Sequence, residues 1–214
     1  MNPYGIVMYL AMLAALIACL RVPSGGWRMR NVLLASIAWG LATEAIAVLV
    51  NHFARLNSIV YNLCVPLEFL LLLWLVHRFR PQWRGPLIAA AVLGCLAMLV
   101  AGFLQDPMQF ILVEPILLIS GIMTILLLAA LWSLATTSEV PLQKVPEFWL
   151  FMGLLIYFGG MVPFIGMVRF VFHQDAVLAA KLTIVMPLLG ISRYGFITAA
   201  CLMQARRARS LRHG

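Results

Sequence analysis

Seven long apolar runs, separated by short basic or proline-bearing breaks, constrain this chain more than any single motif. They cover approximately residues 4–20, 31–51, 59–77, 86–104, 109–133, 148–171 and 178–203. A helix needs about 20 mostly apolar residues to cross the hydrocarbon core of a bilayer. The runs therefore predict an all-α polytopic membrane protein of seven transmembrane helices. With 64% of its residues hydrophobic and 10% charged, the chain cannot hide its apolar side chains in a water-soluble fold of this size. The sequence reads as one seven-helix domain, residues 1–205, followed by a basic tail, residues 206–214.

The formal charge of +8 would point to nucleic acid in a soluble protein. Here the cations cluster between apolar runs, so the lipid bilayer and not nucleic acid is the expected partner. The first connection holds Arg21, Arg28 and Arg30, the third Arg78, Arg80 and Arg84, the fifth Lys144, and the tail Arg206, Arg207, Arg209 and Arg212. These eleven share one side, against Arg55, Arg169 and Lys181 on the other. By the positive-inside rule, the N-terminus lies outside and the tail in the cytoplasm of a bacterial inner membrane. No basic residue precedes the first run, which reads as a span and not as a cleaved signal. Cys19, Cys64, Cys95 and Cys201 fall in four different runs without a CxxC pair, and read as small buried apolar side chains.

His52 and Pro66 stand 14 residues apart, as do His173 and Pro187, at an offset of 121 residues. That spacing suggests a three-plus-one-plus-three layout of parallel repeats. The segment Asn57, Tyr61, Asn62, Pro66, Glu68, Phe69 reads N-x3-Y-N-x3-P-x-E-F. Together with Glu44 upstream, it resembles a group of uncharacterised seven-span bacterial membrane proteins. The resemblance implies an architecture and no activity.

Ionisable groups inside membrane helices are costly, about 2.5–3.5 kcal/mol at the centre on insertion scales, and so tend to face a bundle interior or a wet cavity. The candidate pocket residues are Glu44, Asn51, Tyr61, Asn62, Glu68, Glu114, Arg169, Lys181 and Arg193. Glu68 is expected roughly 14 Å and Glu44 roughly 10 Å from the outer ends of their spans. Glu68 is expected to face Arg193 or Arg169. Glu114 shares a helix face with Gly121, where another helix could approach closely. Pro66, Pro115, Pro163 and Pro187 fall within apolar runs, where each would free a backbone carbonyl.

These features suggest an outward-facing polar pocket in a small-solute or proton-coupled carrier, or in a ligand-binding sensor acting alone, as a homo-oligomer or with a membrane partner. The bland alternative is a set of ion pairs that fixes helix registry. An intramembrane enzyme acting on lipid or a lipid-linked group is a further reading, but the chain has no HExxH, HxxxH or GxSxG motif. No metal or other cofactor is called for. Neither lysine sits at mid-depth in the last run, where a retinal Schiff base would belong.

Overall fold

The computed structural model describes residues 3–54, 57–107, 111–172, 174–182 and 184–213. Nothing but helix and short connections occurs among them, with 88% of the chain helical and no strand. The helices are α1 (Pro3–Leu20), α2 (Arg30–Ala54), α3 (Ser58–Phe79), α4 (Arg84–Leu104), α5 (Val113–Thr137), α6 (Pro146–Phe172), α7 (Ala176–Leu182) and α8 (Val185–His213). Short 3-10 turns precede α4 and α6. By length and composition, α2 to α6 and α8 can each cross a membrane, and α1 is a shorter apolar helix. Its 18 residues span about 27 Å, just under a hydrocarbon core of about 30 Å. This is the architecture of a helical membrane protein.

Three expectations are corrected. The run 178–203 is not one helix: α7 ends at Leu182 and α8 begins at Val185. Lys181 therefore belongs to a separate seven-residue helix. The fifth helix begins at Val113 instead of residue 109. Pro115 and Pro187 consequently occupy first turns, where the missing N–H has no intrahelical acceptor to lose. Only Pro66 and Pro163 stand inside helices among the described residues. At the C-terminus, residues 206–213 continue α8 without a break.

Two compact units emerge, Arg28–Ile122 on the one hand, and Met1–Trp27 with Met123–Gly214 on the other. In the second of these units, α1 packs on α8.

In the first unit, α3 packs against both α2 and α4. Leu87, Ala90, Gly94, Met98 and Ala101 form the buried stripe of α4, at the three- and four-residue spacing of one helix face. A Cβ on Gly94 would lie 2.5 Å from the buried ring of Phe69, so the absence of a side chain there sets the approach of α3 and α4. The opposite face of α4 carries Leu96, Leu99 and Phe103, all exposed, as expected of a surface turned to lipid.

In the second unit, α6 and α8 meet at Gly153 and Gly160. A Cβ on Gly153 would lie 2.5 Å from Phe196 Cβ and 3.1 Å from the Arg193 carbonyl oxygen, and one on Gly160 would lie 2.8 Å from Leu189. Small residues let membrane helices approach closely and gain van der Waals contact. Gly190 does the same for α1, whose Met8 sulfur would be 3.0 Å from a Cβ there. Gly121, by contrast, has nothing within 4 Å of such a Cβ among the described residues, so the close approach expected at that residue is not found among them.

The N-terminal connection turns at Gly25, whose φ is +92°, in the left-handed region that favours glycine. Beyond the turn, the Trp27 indole donates to Glu147 Oε1 at 2.8 Å. The Gln204 amide donates to the Gly26 carbonyl at 2.6 Å. The first connection, the start of α6 and the end of α8 thus meet. The basic-residue count predicts all three on the same side of the membrane. Cys19, Cys64 and Cys201 are buried, Cys95 is half-buried, and none of the four is in a disulfide. Cys19 and Cys201 are hydrogen-bonded to each other.

Candidate functional site

The structure places the polar residues singled out in the sequence in three different settings. The first is the seam between α2 and α3. Trp39 donates its indole N–H to the Cys64 carbonyl at 3.2 Å, and Thr43 Oγ1 bonds back to the Trp39 carbonyl at 2.9 Å. Ala47, Val60 and Cys64 form a buried apolar cluster, with Trp39, Val50, Ile59 and Tyr61 packed round it. Above this cluster the Tyr61 hydroxyl lies 3.5 Å from Glu44 Oε2, the outer limit of a hydrogen bond. Glu44 and Glu68 are both half-buried.

The seam follows from the sequence of α3. Tyr61, Cys64 and Glu68 recur at three- and four-residue intervals, so they share one face. The contacts of Tyr61 and Cys64 turn that face toward α2. Glu68 lies one turn beyond Cys64, about 6 Å further along. Between them, Pro66 removes the N–H that would have bonded to the Asn62 carbonyl. Measured from the helix ends at the α2–α3 connection, Glu44 and Glu68 each lie ten residues in, or about 15 Å. That puts both carboxylates near mid-helix, and Glu44 deeper than the apolar run predicts.

The second setting is the connection from α4 to α5. Asn62, buried in α3, donates Nδ2 to the Pro107 carbonyl at 2.9 Å. Its Oδ1 accepts the Leu112 N–H at 3.0 Å. One amide thus satisfies both a donor and an acceptor of the irregular backbone there, which would otherwise be costly. Glu114 lies at the start of α5, exposed, and its Oε2 accepts from Gln105 Nε2 at 3.2 Å. A carboxylate in the first turn also complements the helix dipole. Asn62 and Glu114 therefore shape a connection here, and Glu114 is not five residues deep in a span.

The third setting is in the other unit. Arg193 is 2% exposed and sits eight residues into α8, about 12 Å from its start. Its guanidinium carbon lies 4.9 Å from the ring centre of Tyr157, 5.2 Å from Tyr194 and 5.9 Å from Phe158. Tyr157 and Phe158 meet edge to face at 5.1 Å. Aromatic faces attract a cation, and more strongly when water is excluded. No motif announced this box: Tyr157 and Phe158 read only as apolar bulk of the sixth run.

The remaining candidates are scattered. Asn51 is exposed on α2, and Lys181 is exposed on α7. Arg169 belongs to α6, and its side chain is outside the described residues, as is His173. Asp175 accepts the N–H groups of Val177 and Leu178 at 2.9 and 3.0 Å, the geometry of an N-cap for α7. Among the described residues, no three His, Cys, Asp or Glu side chains gather as a metal site would require. Of the nine predicted pocket residues, the structure thus joins Glu44 to Tyr61 and aligns Glu68 on the same α3 face. The chain matches no protein-family model, no curated protein and no solved structure.

Proposed function

We propose that the chain is an integral protein of a bacterial cytoplasmic membrane, with its N-terminus outside and its basic tail inside. In this reading, the α2–α3 seam binds a small polar or cationic solute, or carries protons, and the protein works as a carrier. The observation that supports it is the pairing of Glu44 with Tyr61 at 3.5 Å on mid-length membrane helices, with Glu68 on the same face of α3. Half-buried carboxylates near mid-helix are costly in a membrane and tend to face a polar ligand, a partner group or a wet cavity. The meeting of Trp27 with Glu147 and of Gln204 with Gly26 supports the topology, since those segments must share a side when the spans alternate.

Uptake into proteoliposomes tests the reading. Small cationic and polar solutes are offered one by one, with an imposed proton gradient. Accumulation of at least one solute above empty vesicles is expected, with loss on Glu44→Gln. Saturable solute binding without uptake would replace the carrier by a sensor built on the same seam. Neither binding nor uptake across the panel would remove both.

A further inference from the structure

The α3–α4 pair carries a second feature, independent of the carboxylate seam. A cleft of about 270 Å³ opens between the two helices near their connection. Its α3 wall is Leu70, Leu73, Trp74 and His77, and its α4 wall begins at Arg84 and continues through Leu87 and Ile88. Both walls follow the i, i+3, i+4 spacing of a single helix face. Each is polar at one end and apolar along the rest. His77 belongs to the last turn of α3, and Arg84 is the first residue of α4. The two therefore stand together at the connected end, and the apolar walls run from there toward mid-helix.

The charge at that end is of one sign. Arg78, in the last turn of α3, and Arg80, its C-cap, lie at the same end, and no acidic residue occurs in the sequence between Glu68 and Asp106. Trp74 is half exposed, at a level where indole rings favour the membrane interface. We propose that this cleft is a binding site for an anionic phospholipid. The phosphate sits between His77 and Arg84, and one acyl chain lies between α3 and α4 against Leu70, Trp74 and Ile88.

Charge and apolar walls together select this occupant. A free phosphate would engage the cationic end and leave the apolar walls bare. An amphiphile with an anionic head matches both parts. From His77 to Leu70 is seven residues, about 10 Å of chain contact. Basic pockets between membrane helices are suited to anionic headgroups.

The test uses the full chain in phosphatidylcholine vesicles doped with brominated-acyl lipid, either phosphatidylglycerol or phosphatidylcholine. Bromine quenches an indole that it touches. The share of Trp74 is isolated as the difference between wild type and Trp74→Phe. Brominated phosphatidylglycerol is expected to occupy the site about fivefold more strongly than brominated phosphatidylcholine, the preference one interfacial cation confers. The preference should disappear in the double variant His77→Gln with Arg84→Gln and survive in Arg84→Lys. Equal quenching of Trp74 by the two lipids in the wild type would overturn the site. So would a preference that the double variant leaves intact. Release of phosphatidylglycerol by excess inorganic phosphate would make it a soluble-anion site and overturn the lipid assignment.

Discussion

In one unit, a mid-helix carboxylate, Glu44, is half-buried and lies 3.5 Å from the Tyr61 hydroxyl. In the other, the cation of Arg193 is enclosed by three aromatic rings. It also sits where α6 and α8 approach closely, with its own carbonyl against Gly153. The contrast separates two ways of keeping an ionisable group in a membrane helix. A cation spread over ring faces at a glycine seam is fixed by packing and has little room to change partners. A carboxylate at a half-buried seam remains partly accessible to a solute or a proton. We read the first as architecture and the second as the working group.

Substitutions in the two units sharpen this comparison. The largest effect is expected from Gly153→Ala. Its Cβ would lie 2.5 Å from Phe196 Cβ, an atom fixed to the α8 backbone, and 3.1 Å from the Arg193 carbonyl oxygen. Relief requires moving a helix, and the expected loss is about 3 kcal/mol, read as a lower thermal midpoint in detergent. Asn62→Ala comes next. It strands the Pro107 carbonyl and the buried Leu112 N–H, for about 2–3 kcal/mol. Limited proteolysis should then cut within the α4–α5 connection. Gly94→Ala should cost less, about 1–2 kcal/mol, because its 2.5 Å contact is with an edge atom of the Phe69 ring, which can tilt. If Gly94→Ala proves as damaging as Gly153→Ala, the distinction between a glycine against a backbone-fixed atom and one against a ring that can tilt fails. The smallest effect is expected from Tyr61→Phe, under about 1 kcal/mol of stability, because the bond it removes is long.

The sequence made the helices legible because apolar runs of spanning length have no other stable fate in lipid. It made the break between Leu182 and Val185 illegible, because Ile184, Val185 and Met186 continue the apolar run after a single threonine. The cap at Asp175 was the available local signal for a separate α7. Glu114 was misplaced for a related reason. The residues before it are apolar, yet Leu112 is held outside the helix by Asn62, fifty positions upstream. A hydrogen bond over that separation leaves no periodic trace. Glycines were similarly ambiguous: Gly94, Gly121 and Gly153 look alike in sequence, and only packing shows which ones admit a neighbour. The Glu44–Tyr61 pair was partly legible, since the spacing of Tyr61, Cys64 and Glu68 already defined one face. That Glu44 would meet that face required the register of α2 against α3. The contact of Cys19 with Cys201, across nearly the whole chain, and the ring box round Arg193 had no signal at all.

Infrared difference spectroscopy of the reconstituted protein tests the working carboxylates most directly. A step in pH or the addition of a transported solute should change the protonated-carboxyl band of the wild type, and Glu44→Gln should remove the larger part of that change while the fold is retained. A band that never responds in the wild type, or that responds unaltered in both Glu44→Gln and Glu68→Gln, would contradict the account.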